Sequence, residues 1–262
     1  MFDSHCHLTN ARFDTDRALA LERMAAAGIT GCLTIGTGLT DAAAARDLAL
    51  AYPGMVWASA GLDPFSAFES GDSFPEHLVG LRQLLTNGGF VALGECGIEH
   101  HHDVDPAPVQ RERFAAQISL AIELDLPLIV HARSGPRGGD AHAVALDIVR
   151  AHPGVRGVIH SFDGDTVQAR AWLTAGFLVA VNGMITFKGN DALRAAVAQV
   201  PADHLLIETD APYLAPVPQR GKRCEPAFAA LTAAFVAELR GERPDDVMAW
   251  ANRNARALFR LG

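Results

Sequence analysis

Residues 1–10 read MFDSHCHLTN, and the run Phe2–Leu8 within them has the apolar character of a buried strand interrupted by two histidines. Side chains two positions apart on a strand point to the same side. His5 and His7 therefore face one way, and Cys6 faces the other, toward whatever covers the strand. Such a pair can clamp one ion. It can equally be a pair of hydrogen-bonded core histidines, and the choice depends on what the rest of the chain brings to the same place.

Outward from this stretch the chain keeps one rhythm. Apolar and β-branched runs at 2–8, 29–36, 55–62, 89–95, 126–132, 155–162, 176–183 and 204–210 read as strands. Between them, Ala- and Leu-rich segments of helical period fall at about 15–27, 39–51, 75–87, 108–124, 140–152, 165–175 and 190–199, with 226–240 and 244–259 after the last strand. The strands carry too few polar residues for one face to meet water, which is the pattern of parallel strands covered by helices. Eight such units in 262 residues match an α/β fold of the (β/α)8 TIM-barrel type, one domain over 1–262, with a doubly wound open sheet as the structural alternative.

The barrel reading changes what the histidines mean. Glu95 closes its strand, His131 closes the next, His160 sits near the end of the one after, and Asp210 ends the last. All four fall at the carboxyl ends of parallel strands, where barrel enzymes build their sites. Buried imidazoles and carboxylates at one mouth are costly without partners, and bound cations are the simplest partners for six of them. Four histidines and two carboxylates exceed one tetrahedral ion with an open position, and suit two ions that share a carboxylate. A lysine bridge is excluded by counting, because the only lysines, Lys188 and Lys222, follow later strands. Glu95 is then the expected bridge.

Composition limits the function class. With 49% apolar and 20% charged residues, no apolar run of membrane-spanning length and no basic-then-apolar start, a cytoplasmic protein is expected, with no membrane partner. Cys6, Cys32, Cys96 and Cys224 form no CxxC pair and read as small buried groups. The formal charge of -8 excludes a protein that coats nucleic acid non-specifically, though not one with a local basic cleft.

Taken in order, DSHCHL, GECGIE, LPLIVHAR, VIHSF, LLIETDAPYL and RGKRCEPAF resemble the TatD family of metal-dependent deoxyribonucleases, within the amidohydrolase-type barrels, over essentially the whole chain. The resemblance implies that His5, His7, Glu95 and Asp210 hold one divalent ion, and that Glu95, His131 and His160 hold the second. It implies hydrolysis of phosphodiester bonds in DNA, as a 3′ to 5′ exonuclease with single-stranded ends as partner, assayed with Mg or Mn. Imidazole-rich ligation suits Zn, Mn, Fe, Co or Ni better than Mg.

In the chemistry expected of such a site, a water shared by the two ions loses its proton near neutral pH and attacks phosphorus in line. Asp210 is the natural proton acceptor, ligating through one oxygen and receiving the proton on the other. For substrate binding, Arg220, Lys222 and Arg223 in the loop after the Asp210 strand are expected to grip phosphate over the mouth, the plain alternative being a solvated loop. Arg133, two residues past His131, is a second phosphate ligand or a partner for a rim carboxylate.

Departures from the family pattern bear on substrate choice. Asp63 in GLDP stands where relatives carry a histidine near the substrate phosphate, Cys224 replaces an asparagine, and GIEHHH replaces GLDYY, with Glu99 keeping the acid. The loop RSGPRGGDAH is longer than usual, and His100, His101 and His102 read as solvated loop residues rather than a third metal site. Two other functions stay open: a carbonyl-directed amidase, esterase or aminoacyl-tRNA deacylase on the same two-ion site, which would not need the basic loop, and a non-catalytic scaffold, which would not need all six ligands. The oligomeric state is open, a monomer included.

Overall fold

The structure, a computed structural model, describes residues 1–135 and 139–262. Eight strands lie in the order of the sequence, each parallel to the next: β1 Phe2–Cys6, β2 Gly31–Thr37, β3 Val56–Gly61, β4 Ala92–Glu99, β5 Leu128–Arg133, β6 Gly157–Ile159, β7 Phe177–Val181 and β8 Leu205–Ile207. Closure comes from the segment after β8. Asp210 N donates to His5 O at 2.9 Å, His7 N donates to Ala211 O at 2.7 Å, and Cys6 bridges Ala211 in parallel. The fold is the expected (β/α)8 TIM barrel, and the seam that closes it runs through the residues of the proposed site.

Helices α1 Arg17–Ala26, α2 Leu39–Ala51, α3 Pro64–Ser70, α4 Phe74–Thr86, α5 Ala107–Glu123, α6 Ala141–Arg150, α7 Thr166–Thr174, α8 Asp191–Gln199, α9 Ala229–Arg240 and α10 Pro244–Phe259 cover the strands. Their starts are locally encoded: Asp165 and Gln168 form a capping box on α7, and Asp140 caps α6 through Ala143 N at 3.0 Å. The pattern reading placed no helix at 64–70. There Asp63 accepts from Ser66 N at 2.9 Å with Pro64 in the first turn, an N-cap signature that lies in the sequence but precedes only seven residues.

Two apolar clusters divide the interior. One lies between sheet and helices and contains the buried Cys6, Cys32, Cys96 and Cys224, as their scattered spacing suggested. The other fills the barrel: Phe2, Leu33, Ile35, Ala92, Ile129, Val158, Ala180 and Leu206, plugged at the foot by Ala255, Leu258 and Phe259 of α10.

Two strands change face on the way up. Phe2 packs in the barrel interior, and His5, three residues on, turns into the same interior near the mouth, an odd spacing that strict alternation forbids. The register of β1 against β2 shifts between Asp3 and Cys6, which supplies the missing step. In β4, Ala92 and Glu95 repeat the pattern, with a shift between Leu93 and Cys96. Glycine permits it there: Gly94 has φ +133°, and a Cβ on Gly97, at φ +153°, would lie 1.9 Å from the His131 carbonyl oxygen. Residues 136–138 of the stretch 133–142, expected to reshape the rim, lie outside the described residues.

Candidate metal centre and its pocket

The six residues come together as two groups joined by one carboxylate, although Glu95 does not close its strand as expected, since β4 runs on to Glu99. His5 Nε2 and His7 Nε2 stand 3.3 Å apart, and both face Asp210 Oδ1, at 3.7 and 3.2 Å. His131 Nδ1 and His160 Nε2 stand 3.2 Å apart and meet Glu95 Oε1 at 2.9 and 3.1 Å. The other oxygen, Glu95 Oε2, turns back to His5 at 3.3 Å and His7 at 3.9 Å. One carboxylate thus presents one oxygen to each group.

The donor set fits divalent cations. Facing ring nitrogens at about 3.2 Å repel one another when both carry protons, and the carboxylates beside them only accept, so the cluster offers converging lone pairs once the imidazoles lose their protons. A cation between them satisfies every atom at once. His5, His7 and Asp210 form one group able to hold an ion, and Glu95, His131 and His160 another.

Protons compete for the same places. Burial and His160 hold His5 below the ordinary histidine value despite Glu95. Burial also depresses His7, but Asp210 outweighs it and the net shift is upward. At His131 burial is again opposed and overcome, by Glu95 and Glu99, which raise it to about 9; His160 is lifted well above its usual value against burial by Glu95 and Glu208. Burial would raise Glu95 and Asp210, yet the surrounding imidazoles hold both below the ordinary carboxylate range.

Two carboxylates behind the ligands were not singled out as positioning groups. Glu99 Oε2 lies 3.2 Å from His131 Nε2, while Glu99 Oε1 accepts from His102 N at 3.0 Å. Burial raises the Glu99 carboxyl, but His131 prevails and brings it to about 2. Glu208 Oε1 accepts from Ser161 N at 2.6 Å and stands 3.7 Å from His160 Nδ1. Orienting the far side of a ligating imidazole fixes which nitrogen is offered to a metal. The signal for Glu208 is present in the sequence: it lies two residues before Asp210, in the segment that follows β8.

Among the described residues, no group of potential ligands includes His100, His101 or His102. The solvated reading needs one correction, since His100 is buried, with Nδ1 3.3 Å from Gly139 O. The backbone N–H groups of His101 and His102 hold Glu99.

A cleft of about 710 Å³ opens above the ligands. Asp63 lines it and also caps α3; burial and the nearby Glu95 raise its carboxyl above the ordinary range. Arg133 lines it too, its exposed guanidinium without a hydrogen-bond or ion-pair partner among the described residues, so pairing with a rim carboxylate is not seen there.

The basic loop lies outside this cleft's lining. Arg220, Lys222 and Arg223 are absent from the described lining of the cleft. Arg223 bonds Asp16 at 2.6 and 2.8 Å, bonds Glu225 at 2.8 Å and covers the Phe13 ring at 4.5 Å; its partners lie on the α1 side of the barrel. Arg220 lies 3.7 Å above the Phe187 ring, and Lys222 is exposed. Proximity in sequence to Asp210 does not reveal that Asp16, about two hundred residues earlier, pairs with the Arg223 guanidinium.

A parallel barrel whose mouth gathers imidazoles and carboxylates around one shared carboxylate defines a metal-dependent hydrolase. The chain belongs to the TatD related DNase family, whose sequence profile matches residues 2–260. It is 33% identical over 263 residues to YabD, a metal-dependent hydrolase of Bacillus subtilis, with 100% of this chain and 99% of that one covered. It is 36% identical over 271 residues to the 3′-5′ ssDNA/RNA exonuclease TatD of Erwinia billingiae, covering 100% and 99%. Among solved structures, YjjV, a TatD homologue of Escherichia coli, superposes with a TM-score of 0.90 at 30% identity, over 100% of this chain and 98% of that one. The protein is accordingly an enzyme that acts on ester bonds. No described helix is long and apolar enough to cross a membrane.

Proposed function

We propose that the enzyme hydrolyses phosphodiester bonds at the 3′ ends of single-stranded DNA, with two divalent ions as cofactors. The observation that carries this reading is the division of Glu95, one oxygen toward His5 and His7 and the other toward His131 and His160. When bound, two ions there would lower the pKa of a water held between them and offset the charge of the phosphoryl oxygens.

The protein's own groups supply the rest. Asp210, kept ionised by His7, offers Oδ1 to the ligand group and leaves its other oxygen to take the proton of the attacking water and return it to the leaving 3′ oxygen. Arg133, whose guanidinium is unpaired among the described residues, lines the cleft and can hold a non-bridging phosphate oxygen. Phe65 and Tyr213, both exposed and both on the cleft wall, offer faces on which unpaired bases can stack. The name of the Erwinia relative supports single strands and 3′ polarity.

The second reading, a carbonyl-directed hydrolase, has one observation in its favour: Asp41, Asp63 and Asp163 line the cleft and disfavour a polyanion. A turnover screen of end-labelled single- and double-stranded DNA, RNA and simple esters, each with Mg, Mn, Co, Ni and Zn, separates the two. Release of mononucleotides from 3′ ends of single strands is the expected result. Ester or amide turnover with all nucleic acids left intact would replace the nuclease reading by the second one.

A further inference from the structure

Behind the cleft, three side chains form a chain of hydrogen bonds that metal binding does not use. Trp172 of α7 and His142 of α6 are buried, and Asp163 follows β6. Trp172 Nε1 lies 3.1 Å from His142 Nδ1, and His142 Nε2 lies 2.9 Å from Asp163 Oδ1. An indole N–H can only donate, so His142 Nδ1 must accept. The single proton of the neutral imidazole is then on Nε2 and is donated to Asp163. The order of donors runs one way, from the core to the rim.

The end of this chain is a carboxylate fixed in place at the cleft wall. Asp163 has a side chain 43% exposed and lines the same cleft as Ser161 and Arg133. One oxygen is committed to His142, and the other has no hydrogen-bond or ion-pair partner among the described residues. A carboxylate only accepts, so it repels a phosphate and attracts a group that brings a hydrogen. At a 3′ end the donor common to every nucleotide is the terminal 3′-hydroxyl, since thymine carries no exocyclic amino group.

Resting on the exonuclease reading above, we propose that Asp163, positioned by His142 and Trp172, accepts a hydrogen bond from the terminal 3′-hydroxyl and selects 3′-hydroxyl ends over 3′-phosphate ends. Arg133 then serves the scissile phosphate and Asp163 the terminal sugar, which gives the acidic rim a use in a nuclease.

The test compares single strands identical except for a 3′-hydroxyl, 3′-deoxy or 3′-phosphate end, cleaved by the metal-loaded wild type, Asp163→Ala and Trp172→Phe. Wild type should prefer the hydroxyl end over the deoxy end by about tenfold in kcat/KM, as for loss of one hydrogen bond to a charged group. Asp163→Ala should abolish that preference by raising KM for the hydroxyl end, and should improve the phosphate end. Trp172→Phe, which frees His142 to turn, should narrow the preference by a few-fold in the same direction. A merely structural role would lower all three substrates equally, and that result, or equal discrimination in wild type and Asp163→Ala, overturns the proposal while leaving the nuclease reading intact. A wild type that cleaves none of the three ends overturns both.

Discussion

The two ligand groups at the barrel mouth differ in how strongly they hold protons. On the β1 and β8 side, His5 is depressed by burial and His160, and only His7 is raised. On the β4 to β6 side, both imidazoles are raised, His131 to about 9. The difference follows from the count of carboxylates. The first side has Asp210 and a share of Glu95, whereas the second has the rest of Glu95 together with Glu99 and Glu208 close behind the rings. A ligand set that attracts a cation strongly also attracts protons strongly, so the second side gains affinity at high pH and surrenders more of it to protons at low pH.

The most damaging way to break the comparison is to remove the group proposed to move the proton. Asp210→Asn leaves one ligating oxygen and nearly the same shape, and turnover should fall on the order of a thousandfold or more while the melting temperature stays close to wild type. An active Asp210→Asn enzyme would transfer the proton role elsewhere.

Metal stoichiometry measures the bridge itself. Glu95→Ala should weaken ions on both sides, while His131→Ala should weaken only one, as read by elemental analysis and calorimetric titration. A wild type that saturates with a single ion rules out the shared carboxylate as described.

The proton asymmetry has a direct readout. Binding an ion on the second side must displace protons from both His131 and His160, so its affinity should rise by more than tenfold per pH unit while both are protonated, and less steeply once pH passes about 9. In the metal-free protein the sign of the stability effect is set by the same groups. His131 is raised from 6.5 to about 9, so its contribution is complete below 6.5 and lost as pH rises through 9. Glu99 is lowered from 4.5 to about 2, so its contribution is present above 4.5 and lost as pH falls through 2. The melting temperature should therefore be highest between 4.5 and 6.5 and decline on either side.

The smallest effects separate the free arginine from the tied one. Arg133→Ala should weaken binding of a single strand by roughly tenfold and reduce its salt slope by about one. Arg223→Ala should leave that slope nearly unchanged and instead cost about 1 kcal/mol of stability, the scale of a partly exposed ion pair and ring contact. A reversal of these outcomes would restore the basic loop as the phosphate grip.

The strands and most helices were legible to within a few residues because both are written in local periodicity: runs of Val, Ile and Leu for β5 and β7, a 3.6-residue repeat for α5 and α10. The six potential ligands were legible for a related reason, that a polar residue closing an apolar strand in a parallel barrel has only the mouth to face. Helix α3 was missed because seven residues carry too little of a period, and only its Asp-Pro start announces it.

The sequence by itself determined the barrel, the ligand types and their order along the chain. Tertiary structure alone decided which way several of them act. Alternation counted from Phe2 would turn His5 outward, and the register shift in β1, visible only against β2, turns it in. Which oxygen of Glu95 serves which imidazoles depends on strands β1, β5 and β6 arriving from three directions. Arg223 is paired with Asp16 because closing the barrel brings the last strand beside the first. Local patterns are set by neighbours a few residues away and survive in the sequence, whereas a charge is claimed by the partner that folding brings within 3 Å.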